Sequence, residues 1–149
     1  MWIKSILSPE LTLAKQELVS KKRVLDTVAE LFASAVDGID AADLFMHIVS
    51  REKLGSTGIG AGIAIPHCRF PTDGETMCAC ITLAQPIDFD AVDQKPVDLI
   101  FAMVVPEDAE SDHLQRLAAL AEALQQQSYT ESLRAAQNSE ELYAAAIQE

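Results

Sequence analysis

Basic side chains are scarce in this sequence: 11 Lys and Arg stand against 23 Asp and Glu, for a formal net charge of -12. That balance speaks against a nucleic-acid binder, because phosphate contacts need clustered Lys and Arg. The densest basic cluster, Lys21, Lys22 and Arg23, opens a helical pattern and reads as a solvated helix start. Long apolar runs are missing as well. The longest, Leu99 to Val105, falls far short of the ~18 to 20 residues that cross a bilayer, and the opening MWIKSILSPE holds no apolar stretch of signal-peptide length. The chain is therefore expected in the cytoplasm, with no direct membrane insertion. Cysteine is limited to three, an odd number, two of them too close in sequence to pair easily with each other. This fits reduced thiols in a reducing compartment. No repeat, low-complexity segment or Pro/Gly/Ser-rich linker divides the sequence, so residues 1–149 are expected to form a single domain.

What is present is enough apolar content for a core: 49% hydrophobic residues and a mean hydropathy of +0.12, without the low hydrophobicity of disordered chains. Val24, Val28, Leu31 and Ala35 recur at helical spacing, widened by Leu25 and Phe32, with Gly38 as a stop. Asp40 can cap a second helix that carries Leu44 and Ile48 and runs to about Ser50. Strand spacing follows at Gly62 to Ile65 and Met77 to Leu83, and Val97 to Val105 is apolar on both faces, as in a strand covered by helices on each side. Period 3.6 returns with Leu114, Leu117, Ala121 and Leu124, behind Ser111 or Asp112 as N-cap. Two shorter helices follow, the last capped by Asn138 with Glu141 reaching back and burying Leu142 and Ile147. Helices first, strands in the middle and helices last predict an α/β fold, a three-layer α/β/α domain with a small mixed β-sheet.

Four of the six glycines, Gly55, Gly58, Gly60 and Gly62, crowd into eight residues, and the string runs on through Ile65 and Pro66 to His67. Such a loop can offer backbone N–H groups to an anion, or it can be a tight connection between helix and strand. It fits neither nucleotide template: it lacks the Gly-Lys-Ser/Thr of a Walker loop, and its glycine spacing is not that of the dinucleotide fingerprint. Pro66 biases Ile65 towards extended geometry and presents the His67 imidazole at a strand end. Arg51, upstream of the loop, is a permanent planar cation suited to an oxyanion or phosphoryl group, and His113 falls in the first turn of a helix, where free N–H groups favour an anion. A neutral imidazole is a competent phosphoryl acceptor near pH 7. Bringing a phosphate to a chain at -12 makes a local cationic clamp necessary.

The segment Ser50 to His67, SREKLGSTGIGAGIAIPH, resembles the active-site signature of the enzyme IIA components of the bacterial phosphoenolpyruvate-dependent phosphotransferase system. Within the fructose/mannitol-type group the resemblance is greatest to the nitrogen-regulatory branch. It extends over SKKRVLDTVAELF, FDAVDQKPVDLIFAMVVPED and LRAAQNSEELY, nearly the whole chain. It implies that His67 is phosphorylated on Nε2 by a histidine phosphocarrier protein, that His113 is the second active-site histidine and Arg51 the active-site arginine. Ser56, Thr57, Gly58, Gly60 and Gly62 would then support the phosphate loop. Regulated partners such as kinases or transporters are implied, and no cofactor. Two positions depart from the family pattern. Ala61 stands where asparagine is common between two glycines, and Cys68 where glycine is common after the histidine, which questions whether the backbone there keeps a glycine-dependent conformation.

Other readings compete. His67, Cys68, Cys78 and Cys80 are potential metal ligands, but structural zinc sites separate paired cysteines by two to four residues, and C-x-C on a strand has one. No metal site is expected. Asp88, Asp90 and Asp93 read as a polar turn, and His47 as a satisfied structural histidine. Three functions remain: a regulatory phosphoryl carrier, a sugar-specific enzyme IIA serving a IIB domain, and a binding module whose histidine takes no phosphate. An acidic rim around the pocket is expected to attract a basic face of the phosphocarrier.

Overall fold

The computed structural model of the chain describes residues 2–109 and 111–148, with the backbone alone for Ser111 and Asp112. After a short 3-10 turn at Ile3–Ser5 come β1 (Leu7–Gln16), α1 (Lys21–Ala35), α2 (Ala41–Lys53), β2 (Gly58–Gly60), β3 (Ile63–Ala64), β4 (His67–Phe70), β5 (Met77–Ile87) and β6 (Val97–Pro106). Three helices close the chain: α3 (Ser111–Ala123), α4 (Gln127–Ala135) and α5 (Ser139–Ala146). The sheet order is β1-β5-β6-β3-β2, with β4 also paired to β6. β1 runs parallel to β5, β5 antiparallel to β6, and β3 and β4 parallel to β6. The α/β fold and its mixed sheet are as expected. Residues of β6 alternate between the sheet's faces yet are buried almost throughout, so both faces are covered.

The expected chain order needs one correction, because a ten-residue strand precedes the first helix. Pro9 and Glu10 hide β1 from a search for alternation, and its ladder with β5 is interrupted by register shifts. At a sheet edge both are tolerated, since an edge strand need not donate every N–H. α5 packs against this strand, and the Ser139 hydroxyl accepts the Ala14 N–H at 3.1 Å.

The helix starts follow their caps. Ser20 accepts the Arg23 N–H, and α1 buries Val24, Leu25, Val28, Ala29 and Phe32. Asp40 accepts the Asp43 N–H, but α2 runs past Ser50 to Lys53, so Arg51 lies in its last turn rather than in a loop. Asn138 accepts the Glu141 N–H at 2.9 Å, and Glu141 reaches back to the Asn138 side-chain amide. Leu142 is fully buried, whereas Ile147 is half-buried just beyond α5. The expected N-caps of α3, Ser111 and Asp112, have side chains outside the described residues. Phe32, Phe89 and Phe101 anchor the core, and truncating any of them to Ala should cost about 3–5 kcal/mol.

The expected strand at Gly62 to Ile65 is divided. The Leu99 N–H donates to Gly62, and β3 pairs with Leu99 and Ile100 of β6. Pro66 has no N–H to continue that ladder. Its carbonyl accepts the Met103 N–H at 2.9 Å, and pairing resumes in β4, where His67 lies opposite Met103. Between the two strands, the Ile65 N–H turns away to the Thr57 carbonyl at 2.9 Å, and the Ile65 carbonyl is left for a side chain.

Candidate functional site

That side chain is His67. Its Nδ1 lies 2.8 Å from the Ile65 carbonyl oxygen, and a carbonyl only accepts, so Nδ1 carries the ring proton and Nε2 presents a lone pair. Burial lowers the pKa of His67, and the nearby Arg51 guanidinium lowers it further; the Ile65 carbonyl and the Glu52 charge oppose them without reversing the direction. The ring is a neutral imidazole near pH 7, with its nucleophilic nitrogen fixed by the backbone.

His67 opens onto a cleft of about 420 Å³. α2 contributes His47, Ser50, Arg51 and Leu54; β4 contributes His67, Cys68 and Arg69; β6 contributes Met103 and Val105; α3 contributes Leu114 and Leu117. The structure thus brings Arg51 and His67 to one cleft. Among the described residues the lining includes two arginines and no carboxylate. Arg51 is held in place by a 3.0 Å hydrogen bond from Nη1 to the Gly55 carbonyl. Leu54 and Leu114 are strongly exposed and give the cleft an apolar border.

His113 stands one residue before Leu114, but its own ring is not among the cleft-lining residues. Its Nδ1 is hydrogen-bonded to the buried Thr76 hydroxyl at the foot of β5. A hydroxyl can donate or accept, so this contact orients the ring without fixing its tautomer.

The glycine loop does not line the cleft. Ser56, Thr57, Gly58, Gly60 and Gly62 are absent from the lining, and the N–H groups expected for an anion are spent on the protein at three positions. Thr57 donates to Glu52 Oε2 at 2.9 Å, Gly58 to the Ser56 hydroxyl at 3.0 Å, and Ala61 to Asp93 Oδ2 at 3.0 Å. The Ser56 hydroxyl donates in turn to the Phe89 carbonyl. Gly58 allows close packing, since a Cβ there would sit 2.7 Å from the Ala91 Cβ. Of the three acids read as a polar turn, Asp93 therefore also braces the loop, and its N–H partners Lys95 and Ala61 hold its carboxyl below the usual range.

Cys68 answers the question raised by its identity. It lies in β4 outside the positive-φ positions, and its neighbour is strand Val104, so extended backbone suffices and no glycine is required there. Burial pushes its thiol up to about 12, so it does not supply a thiolate at neutral pH. Cys78 and Cys80 are fully buried and shifted upward for the same reason. His47 Nδ1 donates to the Asp43 carbonyl at 3.0 Å, the ring packs edge-on against Phe70, and His47 is among the cleft-lining residues.

Sequence reading missed Arg69 and Glu52. Arg69 had a signal: two residues beyond His67 on a strand, it shares that residue's face. Its Nη1 donates to the Glu107 and Ala109 carbonyls, tying β4 to the segment before α3. Glu52 had none, because nothing in REKLGST marks one acid as buried.

Residues 5–149 match the family described as phosphoenolpyruvate-dependent sugar phosphotransferase system, EIIA 2. The chain is 44% identical over 141 residues to a nitrogen regulatory protein of Pseudomonas aeruginosa, covering 95% of this chain and 92% of that one. Among solved structures it resembles nitrogen regulatory protein IIA-Ntr from Neisseria meningitidis, with a TM-score of 0.89, 39% identity and coverage of 98% and 99%. IIA mannitol from Escherichia coli shares the fold at a TM-score of 0.74 and 17% identity, over 93% and 97% of the two chains. No helix among the described residues is long and apolar enough to cross a membrane.

Proposed function

The chain belongs to the phosphoenolpyruvate-dependent sugar phosphotransferase system EIIA 2 family, whose members work in phosphoryl transfer, and from that premise we propose that it is a cytoplasmic phosphoryl carrier with a nitrogen-related regulatory role. His67 accepts the group from a histidine phosphocarrier protein, and the phosphorylation state of His67 is what regulated partners such as kinases or transporters sense. The nitrogen regulatory relatives support the regulatory half of this reading.

The observation that carries the chemical half is the His67–Ile65 hydrogen bond, which leaves Nε2 with its lone pair in a cleft lined by Arg51 and Arg69. In the reaction the Nε2 lone pair forms the new N–P bond. The donor's own N–P bond breaks, and that electron pair returns to the donor imidazole. Nδ1 keeps its proton and goes on donating it to the Ile65 carbonyl, so the phosphorylated ring is cationic and a good leaving group for onward transfer. Arg51 holds phosphoryl oxygens through the transfer, and His113 contributes its Nε2 side to the same group. These are positioning and charge-stabilising roles, which phosphoryl transfer chiefly requires. The braced loop of Ser56, Thr57, Gly58, Gly60 and Gly62 supports the site from behind.

Incubation with phosphoenolpyruvate, enzyme I and the phosphocarrier, followed by intact-mass measurement, should add one acid-labile phosphate that is lost in His67→Ala. Wild-type protein left unlabelled while the carrier is labelled would overturn the proposal. The family description names a sugar system, which favours a second reading, transfer to a IIB domain. Adding a IIB protein separates the two, since only a sugar-specific enzyme IIA must discharge onto it.

A further inference from the structure

Among the described residues Glu52 is the one buried charged side chain. A buried ion pair is weak evidence for stability, because desolvation offsets its attraction. Its partners suggest another reason for it. Burial by itself would raise the Glu52 pKa, but the Thr57 hydroxyl, the Lys21 ammonium and the Thr57 N–H together hold the carboxyl below its ordinary value. Lys21 Nζ lies 2.9 Å from Oε2, the Thr57 N–H donates to Oε2 at 2.9 Å, and the Thr57 hydroxyl donates to Oε1. Thr57 is thus held at its backbone and its side chain by one carboxylate.

From Thr57 the path continues without a gap. The Thr57 carbonyl accepts the Ile65 N–H at 2.9 Å, and the Ile65 carbonyl accepts His67 Nδ1 at 2.8 Å. We propose that Glu52, clamped by Lys21, is a positioning residue for His67: through Thr57 and Ile65 it holds the carbonyl that fixes the imidazole tautomer and aims Nε2 into the cleft. Glu52 touches no reacting atom. It also follows Arg51 directly at the end of α2, so one anchored turn sets both the nucleophile's backing and the neighbouring cation. The consequence for transfer rests on the reading of His67 as phosphoryl acceptor, whereas the tautomer does not.

The test uses full-length wild type, Glu52→Gln and Lys21→Met, with ¹⁵N-labelled histidine. Glu52→Gln keeps the shape but leaves one acceptor oxygen for three donors, with an amide N–H facing one of them. Lys21→Met alters a half-buried position and provides a second variant should the first not fold. Ring nitrogen shifts of unphosphorylated His67 should show Nδ1–H in wild type and a mixture of tautomers in both variants. Phosphoryl acceptance should slow roughly tenfold to a hundredfold in Glu52→Gln through kcat, with KM for the phosphocarrier unchanged. A folded variant that keeps the wild-type tautomer and the wild-type rate overturns the proposal. If wild type itself accepts no phosphate, the functional reading fails and the tautomer alone decides the role of Glu52.

Discussion

Ala61 is a strained residue whose replacement should stabilise the protein, and its neighbour supplies the opposite case. Gly60, Ala61 and Gly62 have φ of 107°, 57° and 80°, three successive left-handed conformations. For an L side chain this region costs about 1–2 kcal/mol. Ala61 is exposed, so no packing offsets the strain. Ala61→Gly removes it but returns about 0.4–1 kcal/mol of freedom to the unfolded chain, leaving a net gain of roughly 0.5–1 kcal/mol. Ala61→Asn tolerates the same φ without that entropic loss, so its gain should equal or exceed the glycine's. Gly62→Ala imposes the same strain and places a Cβ 2.7 Å from Arg134 Nη2 and 3.2 Å from Asp98 Oδ1. Arg134 is not free to move aside, since it pairs with Asp98 and donates to the Ala61 carbonyl at 2.8 Å. Its cost should be about 2–3 kcal/mol. Urea unfolding at constant slope measures all three, and at this size ~1 kcal/mol moves Tm by about 2–4 °C. A destabilised Ala61→Asn, or a Gly62→Ala within error of wild type, would refute the reasoning.

Further outcomes follow from the same contacts. By NMR titration His67 should show a midpoint below the ordinary 6.5, and Arg51→Gln should move it upward by removing a neighbouring cation. Because the unfolded chain binds this proton first, the group's contribution to stability is present above the unfolded value and lost as pH falls through the folded one; a His67→Gln variant should lose less stability on acidification. Gly58→Ala should cost about 1–3 kcal/mol through overlap with Ala91, whereas Gly55→Ala, where a Cβ meets nothing within 4 Å, should be neutral or slightly stabilising. A neutral Gly58→Ala would contradict the close approach. At pH 8 the three native thiols should resist alkylation until the protein is denatured, given their burial and a Cys68 pKa of about 12; rapid labelling of Cys68 would contradict it.

The legibility of this chain was uneven for physical reasons. The caps Ser20, Asp40 and Asn138 and the two-faced apolar run of β6 were readable because each is a local rule. β1 was not, since Pro9, Glu10 and a positive-φ Lys15 break its alternation, and its place depends on pairing with a strand about seventy residues away. At the site, Arg51 and His67 could be nominated from residue type, but the tautomer of His67 depends on what Pro66 does to a distant ladder. The glycine loop looked like an anion cradle because glycine permits one. Asp93, Ser56 and Glu52, which take its N–H groups, lie up to 32 residues away or carry no local mark.

The central claim is that Nε2 of His67 takes the phosphoryl group while Nδ1 keeps its proton, hydrogen-bonded to the Ile65 carbonyl. Phosphorylating ¹⁵N-histidine-labelled protein through the phosphocarrier and reading the ³¹P–¹⁵N coupling tests this directly. A single coupled nitrogen, Nε2 of His67, is the predicted result. Phosphate on Nδ1 of His67, or on His47 or His113, would contradict it.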